Sequence, residues 1–230
     1  MRKIILLALM IMGTLLLAGC GGDNGQKSSA DTKTSAVVSE KVSVETPDPK
    51  QQPAGKGKVL VAYFSRIGDN YQVGYIEKGN THIMADPIAE TIGADTFEIK
   101  TVKSYPEDYR ECTEVAAKER EDNARPEISG KVPNWQDYDT VFLGYPIWWS
   151  DMPMAVYTFM ESYDWTGKTV IPFCTSAGDV LTGRESDIPR YAKGATLKEG
   201  LGLEGKRVQE KPDTVRPQVE NWLESLGYKK

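Results

Sequence analysis

Lys58-Val59-Leu60-Val61-Ala62-Tyr63-Phe64 is the stretch that decides the fold, because it begins the part of the chain that can form a packed core. An apolar run without polar alternation is typical of a β-strand that is buried on both faces, as in a parallel sheet covered by helices. Shorter segments predict four further strands, at residues 96–99, 140–145, 169–174 and 195–201. Pro172 lies inside the fourth strand and cannot donate a backbone hydrogen bond to a neighbouring strand.

Helical segments separate these strands. They are predicted at residues 81–92, 108–122, 154–163, 186–191 and 214–226. In the first, Ile88 and Ile92 recur at the spacing of one helix face. Five strands that alternate with helices predict an α/β fold, in which helices cover both faces of a parallel sheet. We therefore assign residues 58–230 to one domain of this class.

The composition is that of an acidic globular protein. The 230 residues include 28 Lys and Arg against 33 Asp and Glu, a net charge of −5, and 40% are hydrophobic. These values exclude a disordered chain and a protein with several membrane spans. A chain of this charge is not expected to bind nucleic acid, which requires a basic face. The three cysteines and single histidine do not suggest a disulfide framework or a metal site.

Residues 1–20 have the layout of an export signal. Two basic residues precede an apolar run at residues 4–17, which is too short for a comfortable membrane span. Leu17-Ala18-Gly19-Cys20 resembles a bacterial lipobox, in which the cysteine is lipidated and the preceding peptide is removed. The alternative is an ordinary secretory signal in which Cys20 is incidental. The lipobox predicts a protein anchored by lipid at the extracytoplasmic face of a bacterial cell membrane.

Residues 21–57 read as a flexible tether, because they are polar, contain three prolines and have no aromatic residue. A flexible segment of this length has an end-to-end distance on the order of 35 Å. Removal of residues 1–19 takes away two basic residues and no acidic one, which changes the net charge from −5 to −7. Anionic headgroups repel an acidic domain, so the acyl chains would have to supply the membrane attachment.

In an open parallel sheet, ligands bind beyond the carboxyl ends of the strands, at the point where the strand order reverses. After the first strand, Ser65-Arg66 and later Gly79-Asn80-Thr81 lead into a helix. Hydroxyl, amide and glycine residues beside a helix N-terminus can form a nest for a phosphate group, and Arg66 could add a charged contact. The alternative is that Asn80 or Thr81 only caps the helix.

Two further segments follow later strands. Pro146-Ile147-Trp148-Trp149 comes after the third strand, and Thr175-Ser176-Ala177-Gly178 comes after the fourth. Adjacent side chains in an extended segment point in opposite directions, so at least one tryptophan should stay accessible as a platform for a flat heterocycle. The alternative for the tryptophans is packing against the last helix.

These three segments resemble the FMN-contacting segments of the flavodoxin family. The resemblance is carried by residues 61–66, 143–149 and 172–176, with further similarity at 123–126 and 164–168. It implies a flavodoxin-like three-layer sandwich, with a five-stranded parallel sheet in the order 2-1-3-4-5 and FMN bound without a covalent bond. Flavodoxin is itself a standard example of ligand binding where the strand order reverses.

The resemblance also implies, position by position, which residues hold the cofactor. The phosphate would be held by Ser65, Arg66, Asn80 and Thr81, the flavin ring by Pro146, Ile147, Trp148 and Trp149, and the other edge of the ring by Thr175, Ser176, Ala177 and Gly178. The chain departs from the family pattern at residues 67–78, which separate the two halves of the phosphate segment. Tyr71 or Tyr75 in this insertion could cover the flavin. The third segment also lacks the expected richer run of glycine and serine.

Three functions are consistent with these features. The first is an FMN-binding electron-transfer protein that exchanges electrons with an unidentified redox partner protein or a quinol and needs no catalytic side chain. The second is an FMN-dependent NAD(P)H or quinone oxidoreductase. The third is a non-redox lipoprotein that has lost the flavin and binds a partner or small ligand. Export favours the carrier over the reductase, because NAD(P)H is not expected outside the cytoplasm.

Overall fold

A computed structural model describes residues 57–178 and 180–228. The predicted signal (1–20) and all of the predicted tether (21–57) except Gly57 lie outside these residues. The strands are β1 (Lys58–Tyr63), β2 (Gly68–Asn70), β3 (Gly74–Ile76), β4 (Asp95–Glu98), β5 (Lys100–Thr101), β6 (Ile128–Ser129), β7 (Tyr138–Pro146), β8 (Thr169–Ser176), β9 (Thr196–Leu197) and β10 (Leu201–Glu204). The α-helices are α1 (Asn80–Ile92), α2 (Tyr109–Glu121), α3 (Met154–Glu161), α4 (Ile188–Tyr191), α5 (Gly205–Glu210) and α6 (Val215–Ser225). Short 3-10 helices occur at Trp135–Asp137, Arg184–Asp187 and Pro212–Thr214.

The central sheet confirms the predicted α/β class. Its strands lie in the order β4-β1-β7-β8-β10, and every neighbouring pair is parallel. Counted along the chain, these five strands have the order 2-1-3-4-5. The sheet differs in detail from the prediction, because a sixth strand, β9, pairs in parallel with the start of β8.

The single strand predicted at residues 195–201 is wrong, since β9 and β10 are separate. The backbone carbonyl of Val170 accepts a hydrogen bond from Lys198 N, so the backbone polar groups of Val170 point toward the edge where β9 and β10 lie. Because these groups alternate in direction along a strand, the backbone of Pro172 faces the same edge. Pro172 has no N–H to offer there. Gly200 passes so close to it that an added Cβ would lie 2.4 Å from the Pro172 carbonyl oxygen. The chain therefore leaves the sheet beside the proline and rejoins it at Leu201.

Two apolar layers enclose the sheet, as expected for the three-layer sandwich. Alternate residues of β1 point to opposite faces, with Leu60 and Ala62 in one core and Val61 and Tyr63 in the other. The first core includes the inner face of α3, and the second includes those of α1 and α6. None of the helices in residues 57–178 and 180–228 is long and apolar enough to cross a membrane.

The structure contains elements that the sequence patterns did not predict. The insertion at 67–78 forms the antiparallel hairpin β2–β3, and β5 and β6 form a second small antiparallel pair. The helix predicted at 186–191 is a 3-10 turn followed by the short α4. Helix α5 was not predicted, because it is short and begins at a glycine.

Candidate functional site

A cavity of about 470 Å³ lies at the carboxyl ends of β1, β7 and β8. The loops after these strands, the start of α1 and one face of α2 form its walls. Nine of the twelve predicted cofactor residues line it. They are Arg66, Asn80, Pro146, Ile147, Trp148, Trp149, Thr175, Ser176 and Ala177. The fold thus brings residues from all three predicted segments to one cavity.

The other three predicted residues, Ser65, Thr81 and Gly178, are not among the residues that line the cavity. Ser65 Oγ accepts a hydrogen bond from the backbone N–H of His82 at 3.1 Å, so Ser65 caps the first turn of α1 from outside the helix. Thr81 is buried, and its hydroxyl forms a 3.0 Å hydrogen bond with the hydroxyl of Thr175. Both side chains therefore position the N-terminus of α1. The N-cap residue itself, Gly79, provides no side-chain cap.

Close backbone packing surrounds Asn80, the first residue of α1. A Cβ added to Gly79 would lie 2.2 Å from Ser65 Oγ, and one added to Gly205 would lie 2.7 Å from Asn80 Nδ2. Asn80 Oδ1 is buried and has no hydrogen-bond partner among the described residues. This end of the cavity therefore combines a helix N-terminus with a buried polar atom that lacks a hydrogen-bond partner among the described residues.

Arg66 is held by backbone carbonyl groups. Its guanidinium donates to the carbonyl of Asp69, to that of Pro106 at 2.6 Å and to that of Glu107 at 2.7 Å. The Arg66 Nε atom is buried without a partner in the described part of the chain. Most of the guanidinium therefore joins the β2–β3 hairpin to the loop before α2, rather than facing an open cavity.

The β2–β3 hairpin forms part of the cavity wall. Asp69 N donates to Glu107 O at 2.8 Å, which fixes β2 against the loop before α2. Tyr71, at the hairpin turn, lines the cavity, and its ring centroid lies 6.0 Å from that of Tyr109 in α2. Tyr75 is 64% exposed and does not line the cavity. Of the two tyrosines that were expected to be able to cover a ligand, only Tyr71 is at the cavity.

The two adjacent tryptophans have different environments, as predicted, although a tight turn and not strand alternation separates them. Trp148 is half-buried, and its ring makes edge-to-face contacts with Phe64 and Tyr105 at centroid distances of 5.3 and 5.0 Å. Trp149 is 53% exposed, and its Nε1 donates to the carbonyl of Thr113 in α2 at 3.0 Å. These contacts are not with the last helix, α6. One tryptophan is anchored in the wall and the other forms the rim.

The loop after β8 is folded on itself. Ser176 Oγ donates to the carbonyl of Gly178 at 2.5 Å and accepts from its N–H at 3.2 Å. Beside this loop, Cys174 is fully buried, and burial raises the pKa of its thiol to about 12. Cys174 is therefore a small core residue that stays protonated at neutral pH.

The family model for flavodoxin matches residues 58–226, which is more than half of the chain. The chain belongs to the flavodoxin family. No curated protein matches it significantly.

Solved structures agree with this membership. A candidate flavoprotein from Bacteroides eggerthii DSM 20697 is 30% identical, with a TM-score of 0.59, and the match covers 74% of this chain and 98% of that one. A candidate flavoprotein from Bacteroides uniformis ATCC 8492 is 31% identical, with a TM-score of 0.56 and coverage of 71% and 97%. A flavoprotein from Lactobacillus acidophilus NCFM, solved in complex with FMN, is 21% identical, with a TM-score of 0.51 and coverage of 67% and 97%. This last likeness concerns the fold alone.

This member of the flavodoxin family has cavity residues that the sequence analysis missed. They are Asn70, Gln72, Tyr109, Cys112, Thr113, Ala116, Gly205 and Lys206. Four of them lie on one face of α2, at positions 109, 112, 113 and 116, and this spacing is itself a signal of a helix face that packs inward. The many charges of α2 concealed that signal. Burial raises the pKa of the Cys112 thiol, so this side chain is uncharged at neutral pH.

Proposed function

We propose that this protein binds FMN and transfers electrons, and that a lipid on Cys20 tethers it to the extracytoplasmic face of a bacterial cell membrane. Membership of the flavodoxin family supports FMN as the cofactor, and so does the FMN complex of the Lactobacillus acidophilus flavoprotein. The single observation that carries the proposal is the cavity, because it joins the three predicted segments at the point where the strand order reverses.

The cavity has properties that fit a flavin nucleotide. Its volume of about 470 Å³ falls within the range of small-molecule sites, about 300–1,000 Å³. Asn80 Oδ1 and Arg66 Nε are buried without partners among the described residues, and such atoms destabilise a fold unless a ligand or water satisfies them. FMN has hydroxyl groups, a phosphate and a polar ring edge that can do so. Apolar surface from Ile147 and the tryptophans suits the flat ring.

In this proposal the chain binds, orients and shields the cofactor. The start of α1, held by Ser65 and Thr81, faces the phosphate. Trp149 and Ile147 line the ring, and the backbone of the loop after β8 is close to its polar edge. When bound, the flavin supplies the electron-transfer chemistry, while the protein sets its access and potential. No side chain is assigned as an acid or base.

The lipid tether follows from the sequence alone. Residues 21–57 are long enough to hold the domain on the order of 35 Å from the bilayer. At that position the electron donor and acceptor would be another exported redox protein or a membrane quinol. This part of the proposal has its own test, the incorporation of a labelled fatty acid into the full chain and into its Cys20→Ala variant. Labelling that survives Cys20→Ala, or no labelling of the wild type, would contradict a lipid anchor at this residue.

An FMN-dependent NAD(P)H or quinone oxidoreductase is the second candidate. The observation that favours it is the extra wall formed by α2 and the β2–β3 hairpin, where Tyr71, Tyr109 and Thr113 extend the cavity beyond the predicted segments. A second planar substrate could use this aromatic surface next to the flavin ring. The oxidoreductase is therefore expected to react directly with NAD(P)H, and the carrier is not.

The first experiment is a visible absorption spectrum of the purified full chain after incubation with FMN and desalting. Retained bands near about 375 and 450 nm, the usual flavin pair, would support the cofactor. Anaerobic addition of NADH or NADPH then separates the candidates, since rapid bleaching of the longer-wavelength band by either supports the oxidoreductase, whereas bleaching by a soluble quinol is expected of both. A colourless protein that also fails to quench FMN fluorescence would contradict both.

A further inference from the structure

We infer that Lys206 supplies the positive charge that binds the phosphate of the flavin nucleotide, although the sequence resemblance pointed to Arg66. This inference rests on the proposed function, because it concerns one end of the same cavity. It adds a specificity-determining residue that distinguishes FMN from riboflavin, which has no phosphate.

Two basic residues are among those that line the cavity in the described part of the chain, Arg66 and Lys206. The Arg66 guanidinium is already bound to several carbonyl groups of the loop before α2, including those of Pro106 at 2.6 Å and Glu107 at 2.7 Å. Its Nε–H has no partner among the described residues but is buried. Moving the rest of this group toward a phosphate would break the contacts that hold the β2–β3 hairpin.

Lys206 lies at the end of the cavity where a phosphate is expected. The preceding residue, Gly205, packs so tightly that an added Cβ would lie 2.7 Å from Asn80 Nδ2 and 3.5 Å from the Ser176 carbonyl oxygen. The backbone that precedes Lys206 is therefore packed against the first residue of α1 and the end of β8. These two elements carry the predicted phosphate segment and the third segment.

The Lys206 ammonium is available to a ligand. Its recorded ionic contact in the described residues is with Glu210, at 3.9 Å from Nζ to Oε1, which is too long for a hydrogen bond. Both side chains are about half exposed, so this contact is weak. A lysine on a flexible stem, with three N–H donors, can move from this partner to an anion.

The charge balance favours such a residue. A phosphate monoester carries about −1.5 to −2 at pH 7, and the chain has a net charge of −5 that opposes its binding. The N-terminus of α1 provides about half a positive charge, which offsets only part of the phosphate charge. Lys206 provides a full charge at the same end of the cavity.

The test compares FMN with riboflavin. The full chain, purified in detergent, is titrated into each flavin at low salt, and binding is followed by quenching of flavin fluorescence. We expect Lys206→Gln to weaken FMN binding about 5- to 20-fold and riboflavin binding less than about 2-fold. Lys206→Arg should stay within about 3-fold of the wild type, because it retains the charge. At 0.5 M salt the effect of Lys206→Gln on FMN should shrink.

Lys211→Gln is the matched control. Lys211 directly follows α5, is exposed and does not line the cavity, so it removes the same charge from the same region. An effect of Lys211→Gln equal to that of Lys206→Gln would overturn the inference, because the loss would then reflect net charge alone. Equal loss of FMN and riboflavin, or no loss of FMN, would also overturn it. A wild type that binds neither flavin refutes the proposed function itself, and that result is seen before any variant is made.

Discussion

The buried hydrogen bond between Thr81 and Thr175 joins two of the three cofactor segments, and its removal gives a quantitative prediction. The hydroxyl oxygens are 3.0 Å apart, and the residues are 1% and 3% exposed. Thr81 belongs to the first turn of α1, and Thr175 is the second-to-last residue of β8, at the end of the strand beside the cavity. Thr81→Val keeps the shape of the side chain but leaves the Thr175 hydroxyl without this partner.

The magnitude follows from the burial. A buried polar group that loses its partner costs about 1–3 kcal/mol. We expect Thr81→Val and Thr175→Val each to lower the free energy of unfolding by about 1–2 kcal/mol. In a domain of this size each kcal/mol lowers Tm by about 2–4 °C. The double variant removes both polar groups together, so it should lose about 1 kcal/mol or less, which gives a coupling energy of at least about 1 kcal/mol.

The assay is urea unfolding of the full chain, followed by tryptophan fluorescence and by far-ultraviolet circular dichroism. The wild type, both single variants and the double variant form a double-mutant cycle. Thr214→Val is the control, because the exposed Thr214 hydroxyl donates only to the nearby Lys211 carbonyl, and its change should stay within about 0.5 kcal/mol. The slope of the free energy against urea should be the same in all five proteins.

Two results would refute the reasoning. Single substitutions that cost less than about 0.5 kcal/mol would mean that the hydroxyl pair is not isolated from water. A double variant whose loss equals the sum of the single losses would mean that the two hydroxyls do not interact.

Other contacts give three more predictions. Arg66→Met removes the guanidinium that binds the loop before α2, so chymotrypsin should cleave the 67–78 hairpin at least about 10-fold faster than in the wild type; unchanged cleavage would contradict this role. Gly144→Ala would place a Cβ 2.2 Å from Cζ of Phe173, so thermal unfolding should show a loss of about 1–3 kcal/mol; a loss below about 0.5 kcal/mol would show that the core adapts freely. Burial raises the pKa of Glu119, whose carboxylate accepts from Tyr105 at 2.7 Å. Because the folded state then binds the proton more tightly, the stability from this group is present below the unfolded pKa of about 4.3 and is lost as the pH rises through the folded pKa. Glu119→Gln should therefore be more stable than the wild type at pH 7 and similar at pH 4 in urea unfolding, and a difference that does not change with pH would argue against this origin.

The middle of the central sheet could be predicted from the sequence because β1, β7 and β8 are buried on both faces. Burial of this kind leaves continuous apolar runs, and the runs at β1, β7 and β8 were each found to within a few residues. The edge formed by β9 and β10 was predicted less well, whereas β4 at the other edge was found to within one residue. β9 and β10 are short and contact the sheet on one side, so their pattern is weak, and the break between them depends on Pro172 in another strand.

The cavity was predicted only in part, for a different reason. Residues that follow buried strands could be placed, because the carboxyl ends of parallel strands meet at one edge of the sheet. Lys206 and the inner face of α2 line the cavity because elements that are distant in the sequence pack together. A local sequence pattern does not predict packing of this kind. Arg66 illustrates the same limit, since its residue type suited a phosphate but its guanidinium is bound to carbonyl groups 40 and 41 residues away.

The turn at Trp148–Asp151 shows how the chain separates two adjacent tryptophans. Trp149 and Ser150 have φ of 52° and 59°, while Trp148 and Asp151 exchange backbone hydrogen bonds of 2.8 and 2.9 Å, as in a type I′ turn. Such turns favour glycine and asparagine, and other residues in this conformation cost about 1–2 kcal/mol each. Buried Asp151 holds the turn, since its Oδ1 accepts from Met152 N and from the Tyr157 hydroxyl.

This strained turn has a direct effect on the cavity. Because of this turn, the Trp148 ring packs against Phe64 in the cavity wall. The Trp149 ring lies against α2, where its Nε1 donates to the carbonyl of Thr113. Glycine at position 149 would make the turn more stable but would remove the exposed ring from the rim. Backbone strain of this kind persists where the surrounding structure enforces it and where it has a use. Because the exposed Trp149 ring lies at the cavity rim, we expect a flat ligand in the cavity to contact it, which would give the strain such a use.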